Sequence, residues 1–280
     1  MIRAVALSIL MLFQLSLPSS GEKELRIVSL APNITESLFA IGLDEKEIVG
    51  ITDYCNYPKE AAGIRKVGSL MSVNIETIIS MNPDYVFSSG SESGPSNIRL
   101  KNAGLRLIVL NTESVEEAMS NILRLGKILG KDAEAKEAVR RMRNRLDKVK
   151  NSVDKIKTKK KVYVEIWDDP ITSAGNGSLV NEVVTKAGGI NIAGQVNMLY
   201  PALSPEFIIN SDPDFILIGY MSRNQERTKS AVMKRFGWQE INAVKSKNII
   251  CDINPDIFLR PGPRIAEGIE QIYKKLYENR

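Results

Sequence analysis

Glu76-Thr77-Ile78-Ile79-Ser80-Met81-Asn82-Pro83-Asp84-Tyr85-Val86 returns, 130 positions later, as Glu206-Phe207-Ile208-Ile209-Asn210-Ser211-Asp212-Pro213-Asp214-Phe215-Ile216. In each copy a carboxylate opens a short apolar helix, a Pro-Asp turn ends it, and an apolar run follows that suits a buried parallel strand. Two copies this far apart predict two similar α/β lobes. Helix–Pro–Asp–strand punctuation also recurs by chance in α/β chains, but here the glutamate matches as well.

Working outward, residues 25–30 read as a strand running into Ala31-Pro32-Asn33. Asn33 and Glu36 then have capping-box spacing, and Gly42 stops the helix. Further strand–helix alternation follows at 48–51, 85–88 and 106–110, and Ser114 with Glu117 caps a helix that ends near Gly130. Gly126-Lys127-Ile128-Leu129-Gly130-Lys131 has the wrong spacing for a phosphate loop and no Ser or Thr after its lysine, so it reads as a helix C-cap. Asp132 opens a polar helix expected to reach Lys157, with Val139, Met142, Leu146, Val149, Val153 and Ile156 in one stripe. At 1.5 Å per residue it is roughly 39 Å long, a strut between lobes. A coiled-coil seam is the alternative, although fewer than four heptads are sustained. Residues 161–166 begin a second lobe with helices at 179–186, 230–236 and 264–277 and strands at 215–218 and 248–251. The expected fold is therefore α/β, two Rossmann-like lobes with central parallel sheets joined by one long α-helix. Its divisions are a signal peptide (1–21), an N-terminal lobe (22–131), the connecting helix (132–157) and a C-terminal lobe (158–280).

The chain carries 38 basic and 33 acidic residues, a net charge of +5 that is spread instead of forming a basic stripe, so nucleic-acid binding is not indicated. Histidine is absent, which removes imidazole-dependent metal sites and triads. No metal site and no cofactor is implied, because no Gly-x-Gly-x-x-Gly follows a strand and two cysteines are too few for zinc. Arg3 followed by an apolar run to Leu17 and Pro18-Ser19-Ser20-Gly21 has the form of a cleavable secretory signal. The run is short for a membrane span, and no cysteine follows it to carry a lipid anchor. Cys55 and Cys251 stand as free, partly buried thiols or one disulfide.

Ligands of open parallel sheets bind beyond the strands' carboxyl ends. The loops there carry Pro32-Asn33, Tyr54 to Tyr57, Leu70-Met71, Trp167 to Pro170, Met198-Leu199-Tyr200, Tyr220 and the segment from Asp256 to Arg260. Aromatics and methionines in such loops suit a large, partly apolar organic ligand, although each alone is more often a packing residue.

Ser29-Leu30-Ala31-Pro32-Asn33-Ile34-Thr35-Glu36, Val49-Gly50-Ile51-Thr52-Asp53-Tyr54, Lys66-Val67-Gly68, the paired glutamate repeats and Arg260-Pro261-Gly262-Pro263-Arg264 resemble the periplasmic binding proteins of ABC importers for cobalamin, Fe(III)-siderophores and haem. The resemblance spans the mature chain in order and is nearest to the cobalamin-binding branch. It implies a monomeric, non-enzymatic protein that captures a corrinoid or Fe(III)-siderophore between two lobes and delivers it to a membrane permease. By this resemblance Glu76 and Glu206 dock onto permease arginines, and Tyr54 contacts a corrin ring. Tyr200, Leu70 and Ile257 occupy positions where that branch has tryptophans, and Trp167 completes the expected lining. Arg260, Arg223 and Arg65 keep an anionic siderophore open. A haem protein would have only Tyr or Met to ligate iron. The rival from another class is a two-lobed α/β transferase, which would need a nucleotide-phosphate loop or a placed general base.

Overall fold

The computed structural model describes residues 24–69, 72–220 and 224–278; the expected signal peptide (1–21), Leu70, Met71 and Arg223 lie outside them. In the first lobe, strands β1 (Ile27–Ser29), β2 (Ile48–Ile51), the short antiparallel pair β3 (Gly68–Ser69) and β4 (Ser72–Val73), β5 (Tyr85–Ser88) and β6 (Leu107–Val109) alternate with helices α1 (Pro32–Ala40), α2 (Ile75–Ser80), α3 (Pro95–Asn102) and α4 (Val115–Leu129). Helix α5 (Asp132–Val153) leads to the second lobe. There β7 (Lys161–Glu165), the antiparallel pair β8 (Trp167–Asp168) and β9 (Ile171–Thr172), β10 (Ile190–Asn191), β11 (Phe215–Ile218) and β12 (Ile249–Ile250) are interleaved with α6 (Leu179–Lys186), α7 (Pro205–Ser211), α8 (Gln225–Met233), α9 (Asn242–Lys245), α10 (Asp256–Leu259) and α11 (Ile265–Tyr277).

Each lobe has one four-stranded parallel sheet, ordered β2-β1-β5-β6 and β10-β7-β11-β12. The chain builds outward on one side of β1 or β7 and then crosses to the other. The crevice between β1 and β5, or between β7 and β11, is thus a topological switch point, the place at which open α/β sheets in general bind ligands. The repeat accounts for this symmetry down to single bonds. Asn74 caps α2 by accepting from the Thr77 amide, and Ser204 caps α7 by accepting from the Phe207 amide. Asn82 and Asp212 both turn the chain with left-handed φ of 45° and 44°, a conformation that Asn and Asp tolerate better than other side-chain-bearing residues. The next aspartates then fasten the strand start. Asp84 Oδ2 accepts from the Arg26 amide at 3.0 Å, and Asp214 Oδ2 from the Lys161 amide at 2.9 Å.

The strut is shorter than expected. At 22 residues α5 spans about 33 Å. Past Val153 the bonds from Lys155 to Ser152 and from Ile156 to Val153 tighten to an i→i−3 pattern and take the chain off the helix axis. Ala135, Ala138, Val139, Met142 and Val149 bury one face of α5 in a core that runs without interruption from Ile27, Leu38 and Leu125 to Val162, Val183, Ile269 and Ile272. The seam of a coiled coil is thereby used inside the chain, against α4 and α11. Smaller cores cover the outer faces of the two sheets.

Candidate functional site

The strand-end loops of the two lobes meet in a charged junction. Helix α1 begins at Pro32, whose missing N–H costs nothing there, with Ala31 as its cap. The expected Asn33–Glu36 capping box is therefore not made. Glu36, 3% exposed, instead reaches the second lobe, accepting from Arg264 Nε at 2.8 Å and Nη2 at 2.6 Å. Burial alone would lower the Arg264 pKa, but the Glu36 hydrogen bonds and charge hold it above the ordinary arginine value. The Arg264 guanidinium also lies 3.8 Å above the Tyr57 ring. Arg260 Nη1 donates to Asn56 Oδ1 at 2.7 Å and lies 3.5 Å from Glu36, while its Nη2 lies 2.8 Å from Asp256. Asn56 closes the ring by donating to Asp256 Oδ2 at 3.1 Å.

Three aromatics on strand-end loops are exposed. Tyr54 is 68% exposed on the loop after β2, two residues from Asn56. On the second lobe, residues 196–203 run beside residues 171–176, through bonds from Ser173 to Pro201, from Gly175 to Leu199 and from Leu203 to Ile171. That pairing puts Tyr200, 51% exposed, on the ribbon that carries Trp167, 56% exposed. Tyr54 is thus two residues along the chain from the Asn56 that bonds Arg260, and Trp167 and Tyr200 share one ribbon. The expectation for Ile257 needs correction: it is 4% exposed and packed in the main core, because its carbonyl backs onto Gly268 of α11. Leu70 lies outside the described residues. A separate cavity of about 670 Å³ opens between α1, α5 and α11. Glu36, Tyr57 and Arg264 line it, but Tyr54, Trp167, Tyr200 and Arg260 do not, so it is a groove beside the strut, apart from those residues.

A polar cluster that the sequence did not announce lies under the second lobe's aromatics. Glu165, fully buried at the end of β7, accepts from the hydroxyls of Tyr163 at 3.1 Å and Tyr220 at 2.8 Å and from both terminal nitrogens of Arg235. Burial, then the Glu165 charge, pushes the Tyr220 phenol well above its ordinary range, so it stays a neutral donor. Both cysteines are free and buried in different cores, with Cys55 beside the Thr35 and Thr52 hydroxyls. Glu76 and Glu206 are exposed in the first turns of α2 and α7, away from these contacts. Hydrogen bonds from its own backbone and from Ser204 lower the Glu206 pKa.

Comparison with known proteins agrees with this architecture. A periplasmic binding protein family model matches residues 27–253. The chain is 34% identical to an uncharacterized ABC transporter substrate-binding lipoprotein, YvrC of Bacillus subtilis, over 90% of this chain and 80% of that one. That lipoprotein designation runs against the expectation that no lipid anchors this chain, and the expectation is withdrawn. The crystal structure of the periplasmic vitamin B12 binding protein BtuF of Vibrio cholerae is 26% identical with a TM-score of 0.76, over 90% of this chain and 96% of that one. A possible iron-binding, periplasmic solute-binding protein of Staphylococcus epidermidis is 28% identical with a TM-score of 0.77, over 90% and 98%. Two pseudo-symmetric lobes, one core-embedded strut, and a family match across both sheets lead to one conclusion: the chain belongs to the periplasmic binding protein family, as a substrate-binding protein of an ABC importer.

Proposed function

We propose that this protein captures a corrinoid between its two lobes outside the cytoplasm, without chemical change to it, and delivers it as a monomer to a membrane permease. Tyr54, Trp167 and Tyr200 supply apolar ring surface, and Glu76 and Glu206, one per lobe, meet basic residues of the permease. The vitamin B12 binding relative supports the ligand class. The observation that favours a corrinoid over an anionic iron chelate is that Arg260 and Arg264 are already engaged by Glu36, Asn56, Asp256 and the Tyr57 ring. A siderophore carboxylate or catecholate would have to break those bonds to claim a guanidinium. The iron-binding description of the staphylococcal relative keeps an Fe(III)-siderophore as the second reading.

Titration with cyanocobalamin, hemin, a ferric hydroxamate and a ferric catecholate, followed by absorbance and native mass spectrometry, tests this choice. Saturable 1:1 binding of cyanocobalamin alone is expected; saturation by a ferric chelate alone overturns it. In the same assay Tyr54→Ala and Tyr200→Ala are expected to weaken binding by about five- to thirtyfold, the loss typical of a truncated aromatic anchor. Their apo unfolding free energies should stay within about 0.5 kcal/mol of the parent's, because both rings are exposed. Unchanged affinity in both removes these rings from the site.

A further inference from the structure

The lobes differ at their switch points. In the register of the repeat, Val28 and Leu30 of the first lobe correspond to Tyr163 and Glu165 of the second. Leu30 and Glu165 are both fully buried. The fold itself is thus satisfied by an apolar side chain at this place. A buried carboxylate is costly unless every lone pair finds a donor, and the second lobe supplies two phenols and a two-pronged guanidinium. Arg235 is held in turn over the Trp238 ring, at 4.6 Å.

Tyr220 is what this cluster presents outward. It follows β11 through Gly219, where a Cβ would press 3.1 Å from both the Glu165 carbonyl oxygen and Ile166 Cδ1. Its half-buried ring meets Trp167 edge to face, with centroids 6.5 Å apart at 69°. The Trp167 indole N–H donates to the Asp169 carbonyl at 2.9 Å. The polar handles of both rings are therefore taken up from within, and what remains for the cleft is ring surface. We propose that Glu165 and Arg235 are positioning residues that fix Tyr220, and through it Trp167, as a preformed aromatic wall for the ligand. This rests on the reading above that the second lobe's strand-end loops contact ligand. A wall ordered before binding spares the ligand the entropy of ordering it, which favours slow dissociation.

Tyr220→Phe and Arg235→Lys test this: the first keeps the ring and removes one bond, the second keeps the charge and removes the fork. Full-length protein labelled with fluorotryptophan has two fluorine resonances, from Trp167 and Trp238, and Trp167→Phe assigns them. Both variants should move or broaden the Trp167 resonance, weaken cyanocobalamin binding by about three- to tenfold, as expected for one hydrogen bond, and raise its dissociation rate. A Trp167 resonance and dissociation rate unchanged in both variants overturn the proposal. A parent protein that binds neither cyanocobalamin nor hemin overturns the ligand reading instead, and the fluorine spectra of the variants still decide whether the wall is positioned from Glu165.

Discussion

Glu36 decides how the lobes are joined, and its partners are 224 and 228 positions away, at Arg260 and Arg264. Removing its charge leaves the largely buried Arg264 guanidinium without its paired carboxylate, while Arg260 keeps Asp256. Glu36→Gln is therefore expected to cost about 3 kcal/mol in urea unfolding, the lower end of the range for breaking a buried pair. Adding Arg264→Met should recover more than half of that loss, because the apolar chain removes the unpaired charge. A double variant no more stable than Glu36→Gln would show that Arg264 contributes packing and not pairing. Such contacts are the part of the site that sequence spacing hides. Asn33 and Glu36 carry a local capping pattern that the helix start at Pro32 overrides, and Glu165 and Arg235 stand 70 positions apart, inside an ordinary strand and an ordinary turn. The exposed rings of Tyr54, Trp167 and Tyr200 were legible because strand-end loops are, whereas nothing local marks Ile257 as facing inward.

Elements were most legible where residues repeat a local physical device. The Pro-Asp punctuation sets helix end, left-handed turn and strand start together, which is why α2–β5 and α7–β11 were readable from the chain. The pairs β3–β4 and β8–β9 were not, since two-residue strands are too short to show an alternation. The end of α5 was overshot for a related reason: Ile156 fits the spacing of the stripe but belongs to the turn after it. Gly126 is a helix-interior glycine with a packing cause. A Cβ there would sit 2.4 Å from Ala135 Cβ and 2.8 Å from the Lys131 carbonyl oxygen. Helices α4 and α5 cross at that contact, so Gly126→Val should drive them apart and cost about 1–3 kcal/mol, against the small gain in helix propensity that valine brings over glycine. Thermal unfolding decides: a midpoint equal to or above the parent's would mean that the crossing is looser than the geometry describes.

At the scale of the whole molecule, the continuous core through α5 and the Glu36 junction fix the two lobes in relation to one another. Glu76 and Glu206 are then carried at a set spacing on a stiff body, one at the start of α2 and one at the start of α7. If both engage permease cations, seating one raises the effective concentration of the other, so that losing one weakens assembly and losing both abolishes it. Charge reversal adds repulsion at each contact. Glu76→Lys and Glu206→Lys are each expected to slow uptake in vesicles reconstituted with the permease, and the double variant to stop it, with ligand affinity equal to the parent's in all three. Residues that only favour their helix N-termini would behave otherwise. The reversal would then cost about 0.3–1 kcal/mol of stability through the helix dipole and leave uptake intact. Uptake at the parent rate by the double variant sinks the docking assignment, and so does a loss of ligand affinity large enough to account for the slower uptake, since it would place these carboxylates at the cleft instead of the permease.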